Sequence, residues 1–407
     1  MTTPDASHNR KSALRIAFAG LIALSVAMGI GRFAFTPLLP MMLHDQTIDL
    51  NSGGWLATSN YLGYFIGAML CAFWRGLPPT RTIRAGLIAT VLLTLGMGLL
   101  HVQTVWLLLR LLSGIASALV FVYSSGWCLQ RLAQLQLPAL GGIIYCGPGI
   151  GIMLTGLSSS GMVAHGWHAD TGWVAFGLLA VLLTAAVWST FRGDLDLRAG
   201  NAAQTDADHV EPASIRQEVR WQVLAYGMAG FGYIITATFL PVIARQALPP
   251  GSAWPDFFWP LFGLCVALGA LGATRIPVHF DQRLLLAISY VMQAIGVVSS
   301  AIFPNEVGFA IGSILLGLPF TAITLFAMRE ARRLRSHHAA GLMGLLTASY
   351  GIGQIAGPPL ATRLVHATGS FTPSLSIAAL ALLAGAALYV WLSLRSRADR
   401  VATTAQG

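Results

Sequence analysis

Runs of roughly 20 apolar residues recur twelve times along this chain, each long enough for a helix rising about 1.5 Å per residue to cross the hydrocarbon of a bilayer. A water-soluble surface cannot be built around such a sequence. Charged side chains make up 10% of its 407 residues, against about 25% in soluble domains, and the mean hydropathy is +0.69. Together these require an all-α, polytopic membrane protein. Cutting at charge clusters and Gly/Pro punctuation places the first six spans at Ala13–Met42, Gly54–Trp74, Thr82–His101, Thr104–Gln130, Ala139–Val163 and Thr171–Phe191. The second six are placed at Arg220–Arg245, Trp254–Thr274, Arg283–Phe303, Glu306–Met328, Ala339–Leu364 and Pro373–Leu394. The first run follows Arg10, Lys11 and Arg15 but exceeds the roughly 7 to 15 apolar residues of a secretory leader, so it reads as an uncleaved span.

Arg192 to Val219 is the long polar stretch, without apolar periodicity, and it reads as a solvated linker. The expected organisation is an N-terminal six-helix bundle over 1–192, a cytoplasmic linker over 193–219, and a C-terminal six-helix bundle over 220–407. An internal repeat supports the division. Gly29, Gly31 and Pro40 of span one reappear 201 positions later as Gly230, Gly232 and Pro241 of span seven. In span five Gly147, Pro148 and Gly151 follow Tyr145, and in span eleven Gly351, Gly353 and Pro358 follow Tyr350. Such paired, interrupted spans point to a transporter site near the midplane, so these glycines and prolines, with Pro37, are expected to pack or gate the helices.

An even number of spans puts both termini on one side. Of the 24 Lys and Arg residues, only Arg245 and Arg363 fall on the other side, and Arg32 and Arg110 lie within spans. Both termini are therefore expected in the cytoplasm of a cell whose inner membrane holds the chain. The basic balance, with a pI near 9.9, is explained by loops facing anionic headgroups, and no nucleic-acid partner is needed.

Enzymatic signatures are missing. Cys71, Cys128, Cys146 and Cys265 lie in apolar runs without metal-ligand spacing, and no P-loop, HExxH or Gly-x-Ser-x-Gly is present. His165, His168, Asp170, His337 and His338 read as loop residues. Neither a metal, a cofactor nor a catalytic role is expected.

Span four carries Arg110-Leu111-Leu112-Ser113-Gly114, and span five carries Gly147-Pro148-x-x-Gly151. These resemble the Arg-x-x-x-Gly motif of the major facilitator superfamily and part of its exporter-associated Gly-Pro motif. More narrowly, Gly29-Ile30-Gly31-Arg32-Phe33 through Pro40, with Asn60-Tyr61-Leu62-Gly63-Tyr64, is similar to the YbfB-like group of bacterial transporters. The resemblance implies two pseudo-symmetric six-helix bundles working by alternating access. One departure stands out, because Trp74 to Arg81 lacks the acid of the superfamily's Gly-x-x-x-Asp-Arg loop, and Asp281 with Arg283 offers a partial substitute.

Arg32 is the sharpest candidate for a binding residue. An arginine deep in a span costs roughly 2.5 to 3.5 kcal/mol on the insertion scale, and no acid lies at its depth in the sequence. Carbonyls freed by Pro37 and Pro40, cavity water, or an anionic substrate are the available compensation; anchoring of a broken helix is the structural alternative. Arg110 either lines the same positive chamber or bonds to Glu306 or a carbonyl. Asn60 and Tyr64, four apart, share a helix face, and Tyr145, Tyr226, Tyr233, Tyr350 and Gln354 add lone polar groups to other spans. The function expected is secondary transport of a small anionic or amphipathic organic solute, with protons as a candidate coupling ion. The alternatives are an exporter of hydrophobic drug-like compounds and, from another class, an integral membrane enzyme.

Overall fold

The computed structural model describes residues 6–73, 77–193, 213–335 and 339–404. Among these residues all regular structure is helical. Spans one to six run Asn9–His44, Leu50–Phe73, Pro79–Leu99, Gln103–Gln134, Pro138–Ala164 and Ala169–Trp188. Spans seven to ten run Ile215–Ala247, Pro255–Arg275, Gln282–Ile302 and Glu306–Leu334, and span twelve runs Thr372–Arg395. Those eleven are long and apolar enough to cross a membrane. Span eleven, Ala339–Thr368, has the length at 30 residues but interleaves Tyr350, Gln354, Pro358 and Arg363 with its apolar positions. The helix of span seven begins at Ala213, inside the stretch read as linker. Trp74, Arg75, Gly76, the linker residues 194–212, His337 and His338 lie outside the described residues.

The two halves repeat each other in packing as well as in sequence. Span two packs on four and eight on ten; three packs on six and nine on twelve; one packs on five and seven on eleven. The same symmetry makes the interface between halves, where span five lies on eight and span eleven on two, with span one meeting seven beside them. Close approach depends on glycine. A Cβ on Gly151 would stand 2.7 Å from the Cα of Gly29, and one on Gly263 would stand 2.7 Å from the carbonyl of Gly149. Span two approaches span four in the same way, since a Cβ on Gly67 would meet Ile115 O and Ala118 Cβ at 2.8 Å.

Span one is interrupted. It is α-helical to Leu24, π-helical over Ser25–Phe33, and α-helical again over Phe35–His44. A π-turn displaces carbonyls from the helical ladder, and span four receives them: Ser117 Oγ donates to Ala27 O at 2.6 Å and Ser113 Oγ to Gly31 O at 2.6 Å. Span five breaks at Tyr145-Cys146, just before Pro148, and span ten breaks at Leu318-Pro319. Spans seven and eleven stay helical across Pro241, Pro358 and Pro359. Pro241 has no N–H for the carbonyl of Ala237, four residues back, and Thr36 of the first half donates to that carbonyl at 3.0 Å. One proline thus creates a bond between the halves.

Candidate functional site

Arg32 lies in the last turn of the π-helical segment, 3% exposed, at the contact between halves. Its Nη2 donates to Gln354 Oε1 of span eleven at 2.9 Å, and Gln354 Nε2 donates to the Tyr233 hydroxyl. Tyr233 is the residue that the 201-position repeat sets opposite Arg32, so equivalent points of spans one and seven meet on one glutamine. Three rings complete the surroundings. The guanidinium carbon lies 4.0 Å from the ring centre of Tyr64, 5.2 Å from Tyr61 and 5.3 Å from Phe33. Each such contact contributes about 0.5 to 2 kcal/mol, and a hydrogen bond from a charged donor about 1.5 to 3. Their sum, about 3 to 9 kcal/mol, covers the roughly 2.5 to 3.5 kcal/mol that burying the side chain costs, so the guanidinium can rest here. Its charge is nevertheless not neutralised, because no carboxylate pairs with Arg32 among the described residues and its Nε has no partner. The carbonyls freed by Pro37 and Pro40 are those of Phe33 and Thr36, four residues back, whereas the hydrogen bond of Arg32 goes to Gln354.

Arg110 is committed elsewhere. Its Nη1 and Nη2 donate to the carbonyls of Gly31 and Arg32 at 3.2 and 3.0 Å, and its guanidinium stands 4.9 Å from the Phe35 ring centre. The forked geometry spans two successive carbonyls of the π-turn, which is what a planar guanidinium does well. Asn60 Nδ2 in turn donates to Arg110 O at 3.0 Å. Arg110 and Asn60 thereby fix the backbone that carries Arg32, while Arg32, unlike those two, directs its side chain at the second half.

The second half supplies an aromatic wall. Tyr350 stacks on Tyr233 with ring centres 5.7 Å apart and lies 4.9 Å from Tyr226. Phe320, just past the break in span ten, stands edge-on to Tyr233 at 5.1 Å and to Phe33 at 6.3 Å. Tyr145 is apart from this group, against Phe121. Tyr61, Thr36, Thr238 and Phe320 belong to the site although sequence reading did not select them. Tyr61 bonds Thr238 across the halves at 2.8 Å, and its spacing of three from Tyr64 on span two was the available signal.

The singled-out glycines lie at crossings. Gly31 faces Thr90 and Ser117, Gly147 faces Leu24, Gly230 backs onto the main chain of Tyr350, and Gly232 faces Leu382. Contacts between halves run along the spans: a Cβ on Gly54 would meet Thr362 Cγ2 at 2.7 Å, one on Gly263 would meet Met153 N at 2.5 Å, and one on Gly142, toward the terminus side, would meet Thr274 Oγ1 at 3.2 Å.

Ionic contacts hold the ends of the spans. On the terminus side Arg283 meets Glu218 at 2.9 Å, Asp281 at 3.3 Å and Glu330 at 3.5 Å, while Arg333 meets Glu330 at 2.7 Å. Glu330, 1% exposed, lies within the helix of span ten, which runs on past the Met328 boundary expected from the sequence. Burial pushes the Asp281 carboxyl up, but Ser393 and Arg283 outweigh it and the net shift is downward. At the opposite ends Asp45 accepts from Ala169 N–H at 2.7 Å and from His168 at 3.1 Å, tying span one to six; again burial raises its pKa and the bonds lower it further, so it lies below the ordinary value. Arg245 pairs with Asp256 between spans seven and eight. Among the described residues no three His, Cys, Asp or Glu side chains could hold a metal.

Compared with known families, residues 24–390 match the family described as uncharacterised MFS-type transporter YbfB. No curated protein matches the chain.

Proposed function

The chain belongs to the uncharacterised MFS-type transporter YbfB family, a multi-pass membrane transporter group, and from that premise we propose that it carries a small organic anion with an apolar or aromatic body. The observation behind this reading is Arg32, a buried guanidinium bonded to a neutral amide and caged by rings, with no carboxylate of the described residues at hand. Gln354 Oε1 occupies the place a substrate carboxylate, sulfonate or phosphate oxygen would take. A bidentate anion would also reach the unpartnered Nε. Tyr233, Tyr350 and Phe320 would then receive the apolar body of the solute.

Transport follows from alternating access. With Arg32 and Gln354 buried where the halves meet, opening means rocking the two bundles about the Arg32–Gln354 contact until spans two and eleven part at one end. Entry of an anion breaks that contact and neutralises Arg32 in one step, which couples binding to movement. The excess of Lys and Arg supports cytoplasmic termini and an inner-membrane location. Purified protein in liposomes tests the reading: organic-anion uptake by the wild type should be lost in Arg32→Gln. Intact uptake in that variant would reject it. Running the same assay with and without a pH gradient separates proton symport from exchange.

The aromatic wall also supports a second reading, export of neutral hydrophobic compounds. On that reading Arg32→Gln would leave efflux of neutral dyes unchanged.

A further inference from the structure

Charge is distributed unequally on the side that bears the termini. In the second half Glu218, Asp281 and Glu330 pair with Arg283 and Arg333. In the first half the described acids Asp45, Asp49 and Asp170 all sit at the opposite ends of the spans, while Arg15, Arg81, Arg84, Arg131 and Arg192 crowd the terminus side. Three of these arginines converge. Arg15 of span one, Arg131 of span four and Arg192 just beyond span six line a pocket of about 330 Å³ with Trp127, Ser189 and Thr190.

Their partners within the described residues are neutral. Arg15 donates to Ser189 Oγ at 2.9 Å and to Thr190 Oγ1 at 3.3 Å; Arg131 donates to Gln134 Oε1 at 3.3 Å and stands 5.5 Å from a Trp127 ring centre. No carboxylate of the described residues lines the pocket. The C-terminus of span six lends roughly half a negative charge, too little for three guanidinium groups. Asp194 and Asp196 follow in the sequence and lie outside the described residues. The pocket also borders the outward-facing surface: Phe18, one turn from Arg15 on the same helix face, is 51% exposed.

We propose that this pocket binds the phosphate of an anionic phospholipid in the leaflet on the terminus side, and that the bound lipid ties together the ends of spans one, four and six. Three guanidinium groups with hydroxyls between them match a phosphodiester, which accepts several charge-assisted bonds at once. A lipid supplies that anion at high local concentration, with its chains lying along the exposed face that Phe18 marks. The site is separate from Arg32 and does not depend on what is transported.

The test uses the full chain in nanodiscs of phosphatidylcholine, with or without phosphatidylglycerol, and reads the phosphatidylglycerol retained in native mass spectrometry together with Tm. Wild type should retain the lipid and gain thermal stability from it. Arg15→Gln, Arg131→Gln and Arg192→Gln should each reduce retention about fivefold, whereas Arg275→Gln, a charge removed from the same side of the second half, should not. Equal loss in Arg275→Gln would overturn the proposal in favour of diffuse attraction. So would an equal Tm gain from inorganic phosphate in phosphatidylcholine alone, which would make this a site for the free ion. Stabilisation that emerges only in Asp194→Asn with Asp196→Asn would assign the pocket to the chain's own acids and overturn it as well.

Discussion

Replacing Gln354 by glutamate places a carboxylate where an amide oxygen now sits, 2.9 Å from Arg32 Nη2. With charge centres about 4 Å apart and an effective dielectric constant near 20, the attraction is about 4 kcal/mol. The new carboxylate also loses hydration worth several kcal/mol, so the folded state changes little in stability. Binding changes far more. An incoming anion must now displace a charged competitor, and losing even half of that attraction weakens binding by about thirtyfold. Tyr233 remains satisfied, since its hydroxyl can donate to a carboxylate as readily as it accepts from the amide. The assay is thermal-shift titration of purified wild type, Gln354→Glu and Gln354→Leu with a panel of organic carboxylates and sulfonates. Gln354→Glu should lose the ligand-induced shift, and Gln354→Leu, which removes the placeholder without adding charge, should keep it. Unchanged binding in Gln354→Glu, or equal loss in both variants, would refute the reasoning.

Arg110→Lys cannot bridge two carbonyls; Gly31 O keeps Ser113 as its donor, so the change removes one charge-assisted hydrogen bond worth about 1.5 to 3 kcal/mol, and a lowered Tm with weakened anion binding is the expected result. Gly151→Ala drives a Cβ to 2.7 Å from Gly29 Cα and Ser25 O, backbone that cannot yield, and should reduce the yield of folded protein on size-exclusion chromatography. Asp45 has a pKa lowered in the fold, so its stabilisation is fully present above its unfolded value and fades as pH falls through the folded one. The Tm difference between wild type and Asp45→Asn should therefore be constant above about pH 5 and close below about pH 4.

Much of this architecture is written locally in the sequence. Apolar run length alone separates Leu50–Phe73 from its neighbours, and Asp45 and Asp49 before it and Arg75 after it mark its ends. The isolation of Arg32 is equally plain, because a single guanidinium among apolar residues needs no partner to be noticed. Its actual neighbour was not legible, for Gln354 is 322 positions away and only the crossing of spans one, seven and eleven brings it near. The repeat did contain a clue, since the offset linking Gly29 to Gly230 also links Arg32 to Tyr233. Helix breaks were harder to place. The same Gly/Pro pattern interrupts span one and leaves span seven continuous, because Ser113, Ser117 and Arg110 wait for displaced carbonyls in the first half, whereas in the second Thr36 takes the single carbonyl freed by Pro241. The break in span ten at Leu318-Pro319 carried an ordinary proline signal inside a run whose length concealed it.

The central claim, that cargo supplies the counter-charge of Arg32, is tested most directly by titrating purified protein with an organic carboxylate and its primary amide, which differ in charge at nearly constant shape. The account predicts that wild type binds the carboxylate at least about tenfold more tightly than the amide and that Arg32→Gln abolishes this preference. Equal affinity for the two compounds in wild type, or a preference that persists in Arg32→Gln, would contradict it.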